Sequence, residues 1–260
     1  MKMTSLRLLL LAAPLAVLSL AACSDDDSFS ASPDHRLAFS ADTVSLDTTF
    51  SRVPTTTRTF WVYNRSGDGL RCTSVRLRKG NQTGFRVNVD GMYLGQASGY
   101  QVGGVELRKD DSLRVFVELT SADTHSEVPE LLEDDLVFTL ESGVEQKVNL
   151  RAWSWNATLL DGLKIRSDTL IQSTKPIVVK GNIEVDSAAT IGAGTTLYFS
   201  NHAGIDVYGT LRAEGTPEAN VTLRGDRIDR MFDYLPYDRV SGQWQGIRLH
   251  ASSFDNEIQY

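Results

Sequence analysis

Cysteine is nearly absent from this chain: there are two in 260 residues, Cys23 and Cys72. A disulfide framework is therefore excluded, and stability has to come from packed cores. Long apolar runs are missing as well. The run at 8–20 is broken by Pro14 and falls short of the ~20 apolar residues a membrane-spanning helix needs. Clustered positive charge is absent: 26 Lys and Arg stand against 33 Asp and Glu, for a formal charge of −7. Nucleic acid, which rewards basic patches, is excluded as a partner. Histidine is scarce, with four in all, and no H-E-x-x-H, G-x-S-x-G or C-x-x-C spacing occurs. No stretch of the body shows a helical period, which points to an all-β chain.

What is present begins with an address. Lys2 and Arg7 precede the apolar run, and Leu20-Ala21-Ala22-Cys23 closes it with small residues, the layout of a secretory signal over 1–22. The L-A-A-C ending resembles the lipobox of bacterial lipoproteins. That resemblance implies acylation of the Cys23 thiol and a membrane partner reached through lipid, at about 0.8 kcal/mol per buried methylene. Cys72 then has no partner, and the alternating run Leu70-Arg71-Cys72-Thr73 predicts a small buried hydrophobe there. Residues 23–36 are too polar to fold and read as a tether. Within it, Ser24-Asp25-Asp26-Asp27 resembles the export signal of Bacteroidetes lipoproteins, which implies an outer-membrane protein facing the cell exterior; a plain acidic linker is the alternative.

Residues 37–152 alternate with a period of two, as half-buried strands do. Strands are expected at 44–46, 59–64, 75–77, 85–89, 113–119, 135–140 and 144–150, with turns at Gly67-Asp68-Gly69 and Asp90-Gly91. About seven short strands in such a span argue an Ig-like β-sandwich. The Cys…Trp…Cys hallmark of antibody domains is missing.

From 153 to 260 the texture changes to short apolar triplets punctuated by glycine. Ile183-Glu184-Val185, Ile205-Asp206-Val207 and Ile247-Arg248-Leu249 repeat at steps of 22 and 42 residues. A second set, Leu197-Tyr198-Phe199, Val221-Thr222-Leu223 and Ile258-Gln259-Tyr260, falls between them. Such self-similarity is a solenoid signature, with the outer residues of each triplet inside and the middle one outside. Gly192, Gly194, Gly204, Gly209 and Gly215 are expected at corners, where positive φ is cheap. The run from Val185 through Gly192-Ala193-Gly194 to Phe199, with Ile205-Asp206-Val207-Tyr208-Gly209-Thr210-Leu211, resembles right-handed parallel β-helix proteins of the pectin-lyase-like kind. Tyr260 stands on a strand triplet with no polar cap after it, so an incomplete solenoid, the first turns of a longer one, is expected.

One loop concentrates chemistry. The insertion 226–239 carries Asp226, Asp229, Asp233, Tyr234, Tyr237 and Asp238, and Trp244 follows. Aromatic faces stack on sugar rings while carboxylates and guanidiniums bond hydroxyls, so this set suits ligand binding, with glycans or surface proteins as partners. The same carboxylates could hold Ca²⁺. Equally, the loop could simply fold over the solenoid, with Phe232, Leu235 and Pro236 packed down and its Asp–Arg pairs solvated. His35 falls in the tether and His125 in a sandwich loop, and His202 and His250 fall at different corners, so no metal site, catalytic set or cofactor is assigned. Thr43, Thr48, Ser112, Thr169 and Ser187 each follow an Asp in a pattern that resembles Bacteroidetes O-glycosylation sites. Three functions remain open at this stage: a non-enzymatic adhesin or glycan-binding module, a fragment of a polysaccharide lyase or glycoside hydrolase, and a structural spacer.

Overall fold

The computed structural model describes residues 28–232 and 234–260. The expectations for Cys23, the signal segment and the acidic run therefore lie outside the described residues, as does Asp233.

The N-terminal half contains the strands β1 (Leu37–Phe39), β2 (Thr43–Phe50), β3 (Arg58–Asn64), β4 (Leu70–Leu77), β5 (Phe85–Val89) and β6 (Met92–Tyr93). It continues with β7 (Gln101–Val102), β8 (Val105–Leu107), β9 (Ser112–Leu119), β10 (Glu130–Leu140) and β11 (Glu145–Trp155). They form two sheets, β1-β3-β9-β5-β6 and β2-β11-β10-β4-β7, with β8 also on β4. Most of the longer strands alternate buried and open positions, β3, β5 and β9 most regularly. In β9, Leu113, Val115, Val117 and Leu119 point into a core shared with Phe60, Val62, Phe85, Val87, Leu136 and Phe138. Burying side chains of this size is worth about 1.5–3 kcal/mol each. Cys72 sits in that core, fully buried and unpaired, as its alternating context predicted.

The second half winds into three four-stranded parallel sheets. Its first coils are β12 (Thr158–Leu160), β13 (Leu163–Ile165), β14 (Thr169–Ile171), then β15 (Ile177–Val179), β16 (Ile183–Val185), β17 (Ala188–Gly192). They are followed by β18 (Thr196–Phe199), β19 (Ile205–Val207), β20 (Thr210–Glu214) and β21 (Thr222–Gly225). The insertion supplies a small hairpin, β22 (Arg230–Phe232) with β23 (Leu235–Pro236), and the last coil closes with β24 (Ile247–Leu249) and β25 (Glu257–Gln259). The stacks run β12-β15-β18-β21, β13-β16-β19-β24 and β14-β17-β20-β25. Ile183, Ile205 and Ile247 share one register row, and Val185, Val207 and Leu249 the next, as the triplets predicted.

Two details differ from the expectation. The second triplet set splits: Leu197 stacks on Leu223 rather than Val221, and Ile258 lies in the third sheet beside Ala213. The corner glycines also serve a different purpose from the one predicted. Gly194 alone among the five has positive φ, at 77°. Gly209 is required because a Cβ there would come within 1.9 Å of the Ser187 carbonyl oxygen of the preceding coil. Parallel coils approach backbone to backbone at such points, and only glycine leaves the room.

The halves are packed on each other. Phe50 at the end of β2 and Trp155 at the end of β11 cover Val178 and Tyr198, the middle and therefore outward residues of β15 and β18. The Phe50 and Tyr198 rings lie 4.6 Å apart at 58°. These outward solenoid positions, expected to be wet, are buried because the sandwich lies against this flank.

Candidate functional site

The insertion leaves the solenoid at Gly225 and doubles back between the sandwich and the outer flank. Its seven candidate residues do not converge on one centre. The described ones occupy three places, organised around Arg227.

On the sandwich side is a cleft of about 90 Å³ lined by Leu46, Thr48, Pro54, Thr56, Asp226 and Asp229 among others. Arg227 donates two bonds to Asp229, from Nε at 2.7 Å and Nη2 at 2.8 Å, the fork geometry that gives such pairs their strength. The Thr56 hydroxyl donates to the same carboxylate at 3.2 Å. Burial pushes the Asp229 carboxyl up, but the Arg227 bonds and charge and the Thr56 hydroxyl outweigh it and hold it below the usual carboxylate range. Asp226 behaves oppositely. Its burial is the largest influence and raises the carboxyl above its ordinary value, against the 2.7 Å bond donated by Ser200 Oγ and the charge of Arg227. This pair ties the loop down rather than presenting carboxylates to a ligand. The expected solvated Asp–Arg pairing is thereby corrected: Asp229 and Arg227 are half-buried.

On the opposite side of Arg227 lies a recess of about 230 Å³. Its lining includes Arg224, Arg227, Tyr237, Asp238, Gln243 and Trp244. The Arg227 guanidinium stands 3.8 Å from the Tyr237 ring centroid, a close cation–π contact. Tyr237 and Asp238 sit on a short 3-10 turn, Tyr237–Arg239. Arg224 lies over Tyr198 at 5.6 Å, and its Nε is buried without a hydrogen-bond partner. Trp244 contributes only its rim, because its face is stacked on Phe199 in the solenoid core, with centroids 4.6 Å apart and planes at 14°.

The hairpin tip is the third place. Phe232 and Tyr234 stack at 5.6 Å and 11°, and are 53% and 78% exposed. The alternative in which Phe232 packs down on the solenoid does not hold: it stands out in solvent, stacked on Tyr234.

Sequence reasoning passed over a polar cluster on the neighbouring sheet. Asp206, the middle residue of β19, is buried and accepts bonds from Asn182 at 2.8 Å and Arg248 at 3.1 Å, and pairs with His250 at 3.0 Å. His250 in turn stacks on Tyr208 at 4.0 Å. The outward row Lys164, Glu184, Asp206, Arg248 was legible as charged residues at matched triplet positions, two acidic ones flanked by two basic ones, and that signal would have found it. Among the described residues, no three His, Cys, Asp or Glu side chains group closely enough to hold a metal ion.

The five hydroxyls in Asp-Ser/Thr motifs also separate. Thr43 and Ser112 are exposed, whereas Thr48 lines the interdomain cleft. Thr169 donates to the Ser167 carbonyl at 2.8 Å, and Ser187 to Asp168 at 3.1 Å.

No protein-family model matches the chain, and no curated protein sequence matches it. Likenesses to solved structures are distant. A protein of unknown function from Porphyromonas gingivalis W83 is 13% identical over 53% of this chain and 59% of its own, with a TM-score of 0.34. The PapD-like domain 7 of human CEP192 is 10% identical over 48% of this chain and 89% of that domain, at 0.29. The Vibrio cholerae VesB protease is 12% identical over 45% and 31%, at 0.28. This is an all-β chain, a two-sheet sandwich at its N-terminal end and a stack of three parallel sheets after it. The chain spans 59% of the P. gingivalis protein and 31% of the protease, and scores this low say nothing about chemistry.

Proposed function

We propose that this chain is a lipid-anchored outer-membrane protein of the Bacteroidetes type that binds glycans without turning them over. The observation that carries the binding part is the recess beside Arg227. It brings an aromatic ring, two guanidiniums, a carboxylate and an amide to one concave surface: Tyr237, Arg224, Arg227, Asp238 and Gln243. Planar cations and amides bond vicinal hydroxyls in pairs, while a ring accepts the C–H face of a sugar, so the set suits a saccharide. The neighbouring Phe232–Tyr234 stack offers a further platform along the same loop. Anchoring rests on the lipobox-like Leu20-Ala21-Ala22-Cys23, and exposure to the medium on the acidic run after it.

The test is a glycan array read with the full chain and three variants. Tyr237→Ala and Asp238→Ala are expected to weaken the retained glycan about tenfold each, as loss of a charge-assisted bond or a ring contact does. Asp238→Ala should leave the melting temperature unchanged, whereas Tyr237→Ala, which also loses the Arg227 contact, should lower it slightly. Cys23→Ser should abolish palmitate labelling and release the protein from the membrane fraction. An array with no retained glycan, or one that is indifferent to Tyr237 and Asp238, defeats the binding reading.

A further inference from the structure

The outer face of the sheet β1-β3-β9-β5-β6 belongs to neither core, and its side chains are unusual for a solvated sheet. Along β3 the outward residues are Thr59, Trp61 and Tyr63; along β9 they are Ser112, Arg114, Phe116 and Glu118. Arg86 and Asn88 of β5 and Tyr93 of β6 complete the surface. Trp61, Phe116 and Tyr93 are 41%, 37% and 54% exposed. Register places Thr59, Phe116, Asn88 and Tyr93 in one row across four strands, with Trp61 and Arg114 side by side in the next. Two strand steps put Phe116 and Tyr93 about 10 Å apart, a span for a chain of sugars rather than a single ring.

The rings are held ready. Tyr93 lies against the backbone at Gly95, where a Cβ would meet its ring edge at 2.9 Å, so the close turn holds the ring in place. Arg114 is fixed between Trp61 and Phe116, 5.4 and 5.3 Å from their centroids, and donates to Thr59 Oγ1 at 3.1 Å. No carboxylate among the described residues pairs with it. Asp90 meets it only through the backbone, its amide donating to the Arg114 carbonyl. Arg65, 5.1 Å from the Tyr63 ring, likewise has no acidic partner among the described residues. The one outward carboxylate on β9, Glu118, is already neutralised by Arg86 at 2.9 Å. The face is therefore a ring-bearing strip with uncompensated positive charge on a protein that is acidic overall.

We propose that this sandwich face is a binding site for an acidic polysaccharide chain. The rings take the C–H faces of successive sugars, Arg114 takes a carboxylate or sulfate, and Thr59 and Asn88 take hydroxyls. Charge complementarity selects the acidic class. A protein partner is disfavoured because, apart from Ala38, no aliphatic side chain lies on this face; every position between the rings carries a hydroxyl, an amide or a charge. The site stands on residues separate from the Arg227 recess and does not depend on it.

Affinity electrophoresis of the full chain through gels containing polygalacturonate or uncharged hydroxyethylcellulose tests the proposal. The chain should be retarded by polygalacturonate. Trp61→Ala and Phe116→Ala should remove the retardation, and Arg114→Gln should weaken it at least about tenfold and erase the preference for the acidic polymer. Trp153→Ala, which removes an exposed tryptophan on the other sheet, should change nothing. Circular dichroism establishes that each variant is folded. An unretarded wild-type chain, or retardation that survives Trp61→Ala, overturns the proposal. Loss confined to Tyr237→Ala overturns it too and assigns the polymer to the recess instead, whereas loss confined to Trp61 and Phe116 leaves the recess without this ligand.

Discussion

Trp244 lies flat on Phe199, ring centroids 4.6 Å apart, at the point where the interior ladder runs out of side chains. The row Leu160, Val179, Phe199 arrives at Gly225, which has none to offer. A residue from beyond the insertion thus completes the core over Phe199, and the loop 226–243 is closed at both ends by solenoid structure. That closure lets Arg227 and Tyr237 hold a fixed geometry on an otherwise irregular segment.

Trp244→Ala removes that cover. Truncation of a buried aromatic costs about 3–5 kcal/mol, and because Trp244 is partly open we expect the lower end, about 3 kcal/mol, in urea unfolding. Glycan retention should fall as well, through loss of the recess wall. An unchanged unfolding midpoint would show that the stack contributes nothing.

Gly209→Ala should be among the most damaging single changes in the solenoid. The added methyl would meet the Ser187 carbonyl carbon at 2.9 Å as well as its oxygen at 1.9 Å, so two coils must separate. We expect a loss of at least about 3 kcal/mol, beyond ordinary overpacking, measured by chemical denaturation. Ala at Gly91, where nothing lies within 4 Å but φ is +84°, separates backbone conformation from close approach and should cost less, about 1 kcal/mol.

The two loop carboxylates carry opposite pH signatures. Asp229 is held below the usual carboxylate range in the fold, so its contribution is present at neutral pH and lost as pH falls through its folded value. Asp226 is raised, so it opposes folding as pH climbs from the ordinary carboxylate value through its folded one. Asp226→Asn should therefore raise the melting temperature at pH 7 and make no difference at pH 3. Asp229→Asn should lower it at pH 7, with the deficit shrinking in acid. Parallel melting curves for both variants across that range would reveal the crossing, or its absence.

Cys72 should be chemically silent. Burial pushes its thiol up to about 12 from 9.0, so almost no thiolate exists at pH 8, and no surface reaches it. Ellman's reagent should react only after unfolding, at the global unfolding rate. Fast reaction in the native protein would show that the sandwich opens locally around β4.

Modification of the Asp-Ser/Thr motifs should be selective. Glycopeptide mass spectrometry is expected to find hexose increments at Thr43 and Ser112, whose side chains are open, and none at Thr48, Thr169 or Ser187. Occupancy at Thr48 would mean that the interdomain cleft forms after, or opens for, modification.

Periodicity alone was enough for much of this architecture. A pleat of period two and triplets at steps of 22 and 42 residues are direct imprints of which side chains face away from water, so the sandwich strands and the Ile183–Ile205–Ile247 row could be read without coordinates. Composition likewise marked the loop 226–239 as the place where rings and charges gather. It could not say how they divide. Arg227 turns one way to Asp229 and the other to Tyr237, Trp244 faces inward, and the outward row at Val178 and Tyr198 is dry because Phe50 and Trp155 of a distant segment cover it. The ring-bearing face around Arg114 was invisible for the same reason. Trp61, Phe116 and Tyr93 are separated by tens of residues, and only strand pairing brings them onto one surface. Local pattern records the burial of a residue relative to its neighbours in the chain; which distant residues share a face is set by long-range packing, and that is a property of the fold alone.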